Sequence, residues 1–151
     1  MNLDPQKLNP PWDAALPVIA VRMARPTDQL RALMRFYGEG LGLRLIGSFE
    51  GHEGFSGALY GLPGAACHLE FTQEDGGSPG AAPGADNNLV LYMPDAAAIA
   101  ALARRMAEMG YASTRPVNPY WEHHGACVIP DPDGWNVILT PEVADFMLKD
   151  A

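Results

Sequence analysis

The amino-acid sequence carries one pattern twice, and this duplication limits the folds that the chain can adopt. A strand-like run ending in aspartate opens the pattern at residues 21–28 (VRMARPTD) and again at 88–95 (NLVLYMPD), an offset of 67 residues. Another strand-like run closes it at 67–74 (CHLEFTQE) and again at 135–142 (WNVILTPE), an offset of 68 residues. Because an internal repeat corresponds to a repeated structural unit, we expect two similar modules.

Each copy predicts the element order β-α-β-β-β. Helical spacing of apolar residues follows the first leading strand from Asp28 to Gly42, and it follows the second over residues 96–109. One small sheet with one helix would struggle to bury both of its faces, so we expect an α+β fold in which two modules curl into a common cup. The predicted strands are 17–24, 43–50, 54–61 and 66–73 in the first copy, and 87–94, 111–115, 125–129 and 135–139 in the second.

The repeat also predicts how the chain is divided. A length of 151 residues is typical of a single domain. Residues 75–87 (DGGSPGAAPGADN) are rich in glycine, proline and alanine and are typical of a flexible linker. The predicted order is an N-terminal arm (1–16), one domain (17–143) made of module one (17–74), the linker and module two (88–143), and a C-terminal tail (144–151).

Charge and cysteine content narrow the class of protein. The formal net charge of −8 argues against a nucleic-acid surface, which needs clustered lysine and arginine. No apolar run approaches the roughly 20 residues of a membrane span, and no signal-peptide pattern is visible. The two cysteines, Cys67 and Cys127, form no CxxC motif. The sequence therefore predicts a cytoplasmic protein with reduced thiols that contacts neither nucleic acid nor membrane.

Two segments, added to the duplication, resemble a known superfamily. They are RFYGEGLGL at residues 35–43, after the first predicted helix, and DPDGWNVILTPE at 131–142. With the paired modules they resemble the vicinal oxygen chelate superfamily, which includes glyoxalases, extradiol dioxygenases, fosfomycin-modifying enzymes and bleomycin-binding resistance proteins. The resemblance covers residues 17–143 and implies the cup-shaped fold of that superfamily. We also expect a homodimer. No single chemistry follows, because the superfamily uses one scaffold for several.

The resemblance implies four metal-binding positions, two in each module. Carried over to this chain they are Val21, Glu70, Asn88 and Ile138, and the repeat itself pairs Val21 with Asn88 and Glu70 with Ile138. A shift of one residue at the first position gives Ala20 or Arg22, and neither ligates a metal. A catalytic cation needs about three imidazole, carboxylate or thiolate ligands. We therefore expect no cofactor at these positions.

A rebuilt divalent-metal site is the alternative. His68 and Glu70 lie two residues apart on a predicted strand and should share a face, and His123 or His124 could add a third ligand. His68 could equally pack at the rim of the cup, with His123 and His124 as ordinary loop residues. The metal candidates are thus His68, Glu70 and His124.

Without a metal, Glu70 is the candidate catalytic residue. A carboxylate among apolar neighbours could act as a general base, or it could bind a cationic or hydrogen-bonding ligand. The structural alternative is an ion pair with Arg25, which would share an inward register with Val21 and Met23. The segment YWEHHG (120–125) could supply an aromatic wall with a polar handle, or it could cover a sheet edge or a dimer contact. The predicted ligand-binding residues are Glu70, Arg25, Asn88, Tyr92, Trp121, Glu122 and His124.

Three functions fit these observations. The first is a metal-free protein that binds, and can sequester, a small organic molecule, and the acidic net charge favours a cationic ligand for it. The second is a lyase, isomerase or dioxygenase that uses the rebuilt metal site. The third is a metal-independent enzyme with Glu70 as the base. Whether the chain catalyses a reaction, and on which molecule, stays open from the sequence.

Overall fold

The computed structural model of the chain describes residues 18–141, except residues 65, 78, 79, 81 and 83. The predicted arm (1–16) and tail (144–151) lie outside the described residues. The strands are β1 (Val21–Pro26), β2 (Arg44–His52), β3 (Phe55–Gly61), β4 (Cys67–Glu74), β5 (Asn88–Tyr92), β6 (Cys127–Pro130) and β7 (Asn136–Thr140). The helices are α1 (Leu30–Met34), which continues as a π-helical segment (Arg35–Gly40), α2 (Ala96–Glu108) and α3 (Pro119–His123).

The strands form two open sheets with the same topology. The first sheet has the order β1-β4-β3-β2, and the second has the order β5-β7-β6. In each sheet the leading strand pairs in parallel with the last strand of its module, which pairs antiparallel with the strand before it. The predicted α+β fold of repeated modules is confirmed.

The predicted strand at residues 111–115 does not form within the described chain. This segment contributes a single bridge, between Thr114 and Val128, so the second sheet has three strands where the first has four. Pro116 and Pro119 follow closely, and proline has no N–H to donate to a neighbouring strand. The second module is therefore a shortened copy of the first.

Each helix begins and ends where its local sequence allows. Asp95 caps α2 by accepting a hydrogen bond from the Ala98 N–H at 2.8 Å, which satisfies one of the free amides of the first turn. At the end of the π-helical segment, a Cβ on Gly40 would lie 2.7 Å from Sδ of Met106 on α2. Glycine at this position lets the first helix approach the second module closely.

One hydrophobic core joins the two modules. It contains alternate residues of the closing strands, Leu69 and Phe71 on β4 and Val137 and Leu139 on β7. Side chains alternate between the faces of a strand, so the residues between them point to the opposite face of each sheet. The remaining buried core residues include Leu33, Phe36 and Tyr37 from the first helix, Ile99 and Met106 from α2, and Ile129 from β6.

Polar contacts between the helices add to this junction. Arg35 donates to the Tyr111 hydroxyl at 3.0 Å and to the carbonyl of Met109 at 3.2 Å. In the other direction, Arg105 donates to the carbonyl of Glu39 at 2.9 Å. Among the described residues, no helix is long and apolar enough to cross a membrane.

Candidate functional site

A polar cluster lies on the face of the first sheet that points away from the core. The parallel register of β1 and β4 places Arg22 beside His68 and Ala24 beside Glu70. The Arg22 guanidinium donates through Nε to Nε2 of His68 at 3.0 Å and through Nη1 to Oε2 of Glu70 at 3.1 Å. Because Nε2 of His68 accepts this bond, the neutral ring carries its proton on Nδ1. One arginine thus holds both side chains.

The structural alternative for Glu70, an ion pair with Arg25, is wrong. Glu70 pairs with Arg22, whereas Arg25 pairs with Asp131. The physical reason is the register of β1, in which Arg25 lies beside Phe71 and therefore on the core side of the sheet. Arg25 and Glu70 lie on opposite faces.

The same register corrects the correspondence between the modules. Asn88 lies beside Asn136, two residues before Ile138, and Arg22 lies beside His68, two residues before Glu70. The residue equivalent to Asn88 is therefore Arg22 and not Val21. Each module has a side-chain contact at this place, since Asn136 Nδ2 donates to Asn88 Oδ1 at 3.2 Å.

The residues at the superfamily's metal positions do not fit a divalent cation as they stand. The part of the chain that the structure describes holds no group of three histidine, cysteine, aspartate or glutamate side chains that could bind a metal. Of the three sequence candidates, His68 and Glu70 are brought together, but Arg22 already uses one lone pair of each. His124 lies on the other module, with Nδ1 2.7 Å from the Tyr120 carbonyl oxygen.

Most of the segment 120–125 is helical, and no helix was predicted there. Asn118 accepts a hydrogen bond from the Tyr120 N–H at 3.0 Å, and Pro119 occupies the first position of α3. An Asn-Pro pair is a helix-start signal that could have found it. The Tyr120 ring lies 4.1 Å from the ring of His124 and 5.0 Å from that of Trp121.

The other predicted residues of this region have separate surroundings. Burial, and after it the charge of Tyr120, raises the pKa of Tyr92. The indole Nε1 of Trp121 is buried and has no hydrogen-bond partner among the described residues. Glu122 lies 3.4 Å from Arg115, and both side chains are at least half exposed, so this pair contributes little to stability.

A second cluster of polar side chains connects the modules. Arg25 donates to Oδ2 of Asp131 at 2.5 Å, and the Tyr37 hydroxyl donates to the same oxygen at 2.8 Å. The other oxygen, Oδ1, accepts the N–H groups of Asp133 and Trp135 and so holds the DPDG turn. The Arg25 guanidinium also lies between two rings, 5.0 Å from Phe71 and 4.8 Å from Trp135.

This connection borders a mostly apolar cavity of about 230 Å³ between the leading strands. Of the predicted ligand-binding residues, Arg25 and Asn88 line it, and Glu70 does not. Tyr37 and Trp135 also line it, and neither was predicted as a site residue. The cavity and the Arg22 cluster are therefore distinct places on the molecule.

Replacing Tyr37 with phenylalanine should remove one source of alkaline sensitivity. Burial, and after it the charge of Asp131, raises the pKa of Tyr37 above its ordinary value of 10.0. A group whose pKa is higher in the folded protein stabilises it fully below pH 10 and loses that contribution as the pH rises further. The wild type should lose up to about 1.4 kcal/mol per pH unit from this group, and Tyr37→Phe should not.

Urea unfolding between pH 9 and 11.5 measures this difference. Burial also raises the pKa values of Tyr60 and Tyr92, but both contribute equally to the two proteins. Parallel stability curves for the wild type and the variant would contradict the expectation.

The comparisons with known proteins identify the family of this chain. Residues 21–72 match the YycE-like N-terminal domain, and residues 86–141 match the YycE-like C-terminal domain. The chain belongs to the YycE-like family. It is 48% identical over 119 residues to the uncharacterized protein YycE of Bacillus subtilis (strain 168). The aligned residues are 79% of this chain and 85% of that protein. A crystal structure of a YycE protein of unknown function from Bacillus subtilis aligns with a TM-score of 0.81 at 42% identity, over 87% of this chain and 96% of that one.

More distant structures share the fold of this YycE-like chain. The fosfomycin resistance protein FosX of Mesorhizobium loti aligns with a TM-score of 0.64 at 12% identity, over 84% of this chain and 94% of that one. TnmS3, an antibiotic binding protein of Streptomyces sp. CB03234, aligns with a TM-score of 0.60 at 23% identity, over 83% and 97%. The predicted membership of the vicinal oxygen chelate superfamily is confirmed.

Proposed function

We propose that this YycE-like protein binds a small organic molecule on the Arg22, His68 and Glu70 face of its first sheet, without a bound divalent metal. The observation that carries the proposal is the Arg22 guanidinium, which donates to both His68 and Glu70. A permanently charged side chain thereby provides a positive group at the place where the resemblance puts a metal ion. TnmS3, which has the same fold, is an antibiotic binding protein.

The existing contact between Glu70 and Arg22 favours ligand binding over catalysis. A general base needs a lone pair that reaches the substrate proton. One carboxylate oxygen of Glu70 is already held by Arg22, and its side chain is only 11% exposed. A catalytic Glu70 would therefore have to use its second oxygen, while Arg22 keeps the first one. Module two would supply a second wall of the binding site, with more aromatic side chains than the Arg22 face has. Its proposed residues are Asn88, Tyr92, Trp121, Glu122 and His124.

A homodimer in the cytoplasm is part of the proposal. Apolar residues at and before β1, an edge strand of the first sheet, are unusually accessible, with Val21 49%, Met23 61% and Ile19 94% exposed. An edge strand with exposed apolar side chains favours association with another chain. A second copy that covers this edge would bury these side chains, and sedimentation velocity would measure its formation.

The proposal predicts ligand binding that does not depend on metal. Fosfomycin, which has a phosphonate group, and the cationic bleomycin serve as probes, each in the presence of EDTA and again with added Zn²⁺. At least one probe should raise the melting temperature and give the same dissociation constant by calorimetry in both conditions. Binding that requires Zn²⁺ would favour the rebuilt metal site. If neither probe binds, and native mass spectrometry finds no co-purified small molecule, the proposal is wrong.

A further inference from the structure

We propose that Arg22 is the binding residue for an oxyanion, so that the ligand of this YycE-like protein has a carboxylate, phosphate or phosphonate group. The inference rests on the proposed function and adds the chemical class of the ligand. It differs from the expectation of a cationic ligand, which followed from the net charge of −8.

The guanidinium of Arg22 is fixed in orientation before any ligand arrives. Its bonds to His68 at 3.0 Å and to Glu70 at 3.1 Å come from two different nitrogens, Nε and Nη1. Two bonds from one planar group define both its position and its plane. A preorganised arginine loses less conformational entropy on binding than a free surface arginine does.

Three N–H groups of Arg22 remain for a ligand. A guanidinium has five donors, and the contacts with His68 and Glu70 use two of them. The described residues supply no partner for Nη2, and the Arg22 side chain is 50% exposed. Two parallel N–H groups match two oxygens of a carboxylate or phosphate in a bidentate contact.

The local arrangement of charge also favours an anion. Glu70 is 11% exposed and Arg22 is 50% exposed, so the positive end of the ion pair is the accessible one. His68, the other partner of Arg22, adds no negative charge. The acidic surface of the whole protein opposes an anion only weakly at physiological salt, where charges beyond about 8 Å are screened. The contact with Arg22 is therefore the larger effect.

Methylphosphonate and acetate test the inference, with methylammonium as the cationic control. Both anions should shift the Nε–H signal of Arg22 in NMR titrations, and methylammonium should not. Arg22→Gln should weaken methylphosphonate binding by about tenfold or more, since it removes a charged donor. Arg22→Lys keeps the charge but loses the planar pair of N–H donors, so it should weaken binding less. Arg44→Gln, an equal change of charge at an exposed position, should have no effect.

The outcomes separate this inference from the proposed function. Equal methylphosphonate affinity in the wild type and in Arg22→Gln would mean an adventitious ion only and would overturn the inference. If neither anion binds the wild type while bleomycin does, the cup binds ligands but selects no oxyanion, so only the inference fails. If no anion, fosfomycin or bleomycin binds, both fail. Circular dichroism of Arg22→Gln and Arg22→Lys confirms that each variant is folded before its affinity is compared.

Discussion

Replacing Asp131 with alanine should lower the free energy of unfolding by about 3 to 5 kcal/mol, the range for breaking a buried ion pair from one side. The Asp131 side chain is fully buried and accepts four hydrogen bonds, from Arg25, Tyr37 and two backbone amides of the DPDG turn. Its removal leaves Arg25 with only the longer ion pair to Asp133, whose oxygen is 4.0 Å away. Chemical denaturation at neutral pH measures the loss.

Two variants show which part of the loss comes from which contact. Tyr37→Phe removes a single hydrogen bond to the same oxygen and should cost about 1 to 3 kcal/mol. Asp133→Asn removes only the longer ion pair with Arg25, at 4.0 Å, and keeps an oxygen that can accept from Gln29, so it should cost less than about 1 kcal/mol. If Asp131→Ala costs no more than Asp133→Asn, Asp131 does not hold the two modules together.

The fold could be predicted because the duplication is visible in the sequence as two similar segments. Both leading strands, both closing strands and both main helices lie within a few residues of their predicted bounds. The missing strand at residues 111–115 could not be predicted in this way, because strand pairing depends on a partner and not on local sequence alone.

The candidate site was predicted less well, because the repeat aligned strand β1 with strand β5 one residue out of register. A slip of one residue moves every side chain of a strand to the other face of its sheet. The repeat offset of 67 residues aligned Val21 with Asn88, whereas the pairing of Arg22 with His68 shows that Arg22 occupies this place. The repeat therefore predicts Arg25 as a residue of the cup, and it indicates for Arg22 only that this residue cannot bind a metal.

Contacts between distant residues were not predictable from spacing. In the sequence, Asp131 is only the first residue of the segment DPDGWNVILTPE, yet its partner Arg25 lies 106 residues earlier in the chain. No local pattern identifies such a pair. The composition gave only the total charge, and the structure gives its distribution.

Replacing Arg22 with histidine should create a divalent-metal site on the Arg22, His68 and Glu70 face of the first sheet. The variant would have two imidazoles and a carboxylate on one face of the first sheet, since residue 22 lies beside His68 and close to Glu70. Two histidines and a glutamate are a ligand set of catalytic zinc sites. Removing the guanidinium also frees the lone pairs of His68 and Glu70. We expect Zn²⁺ to bind with a dissociation constant on the order of micromolar.

Calorimetry with Zn²⁺ and the visible absorption of bound Co²⁺ measure this gain. Arg22→Gln is the matched control, because it removes the same charge and adds no ligand, and it should bind Zn²⁺ at least about tenfold more weakly. Adding Glu70→Gln to Arg22→His should abolish the tight site, which shows that Glu70 is a ligand. Equal Zn²⁺ binding by Arg22→His and the wild type would mean that His68 and Glu70 cannot converge on a cation. In that case Arg22 does not occupy a metal-binding position, and its charge no longer supports ligand binding without a metal.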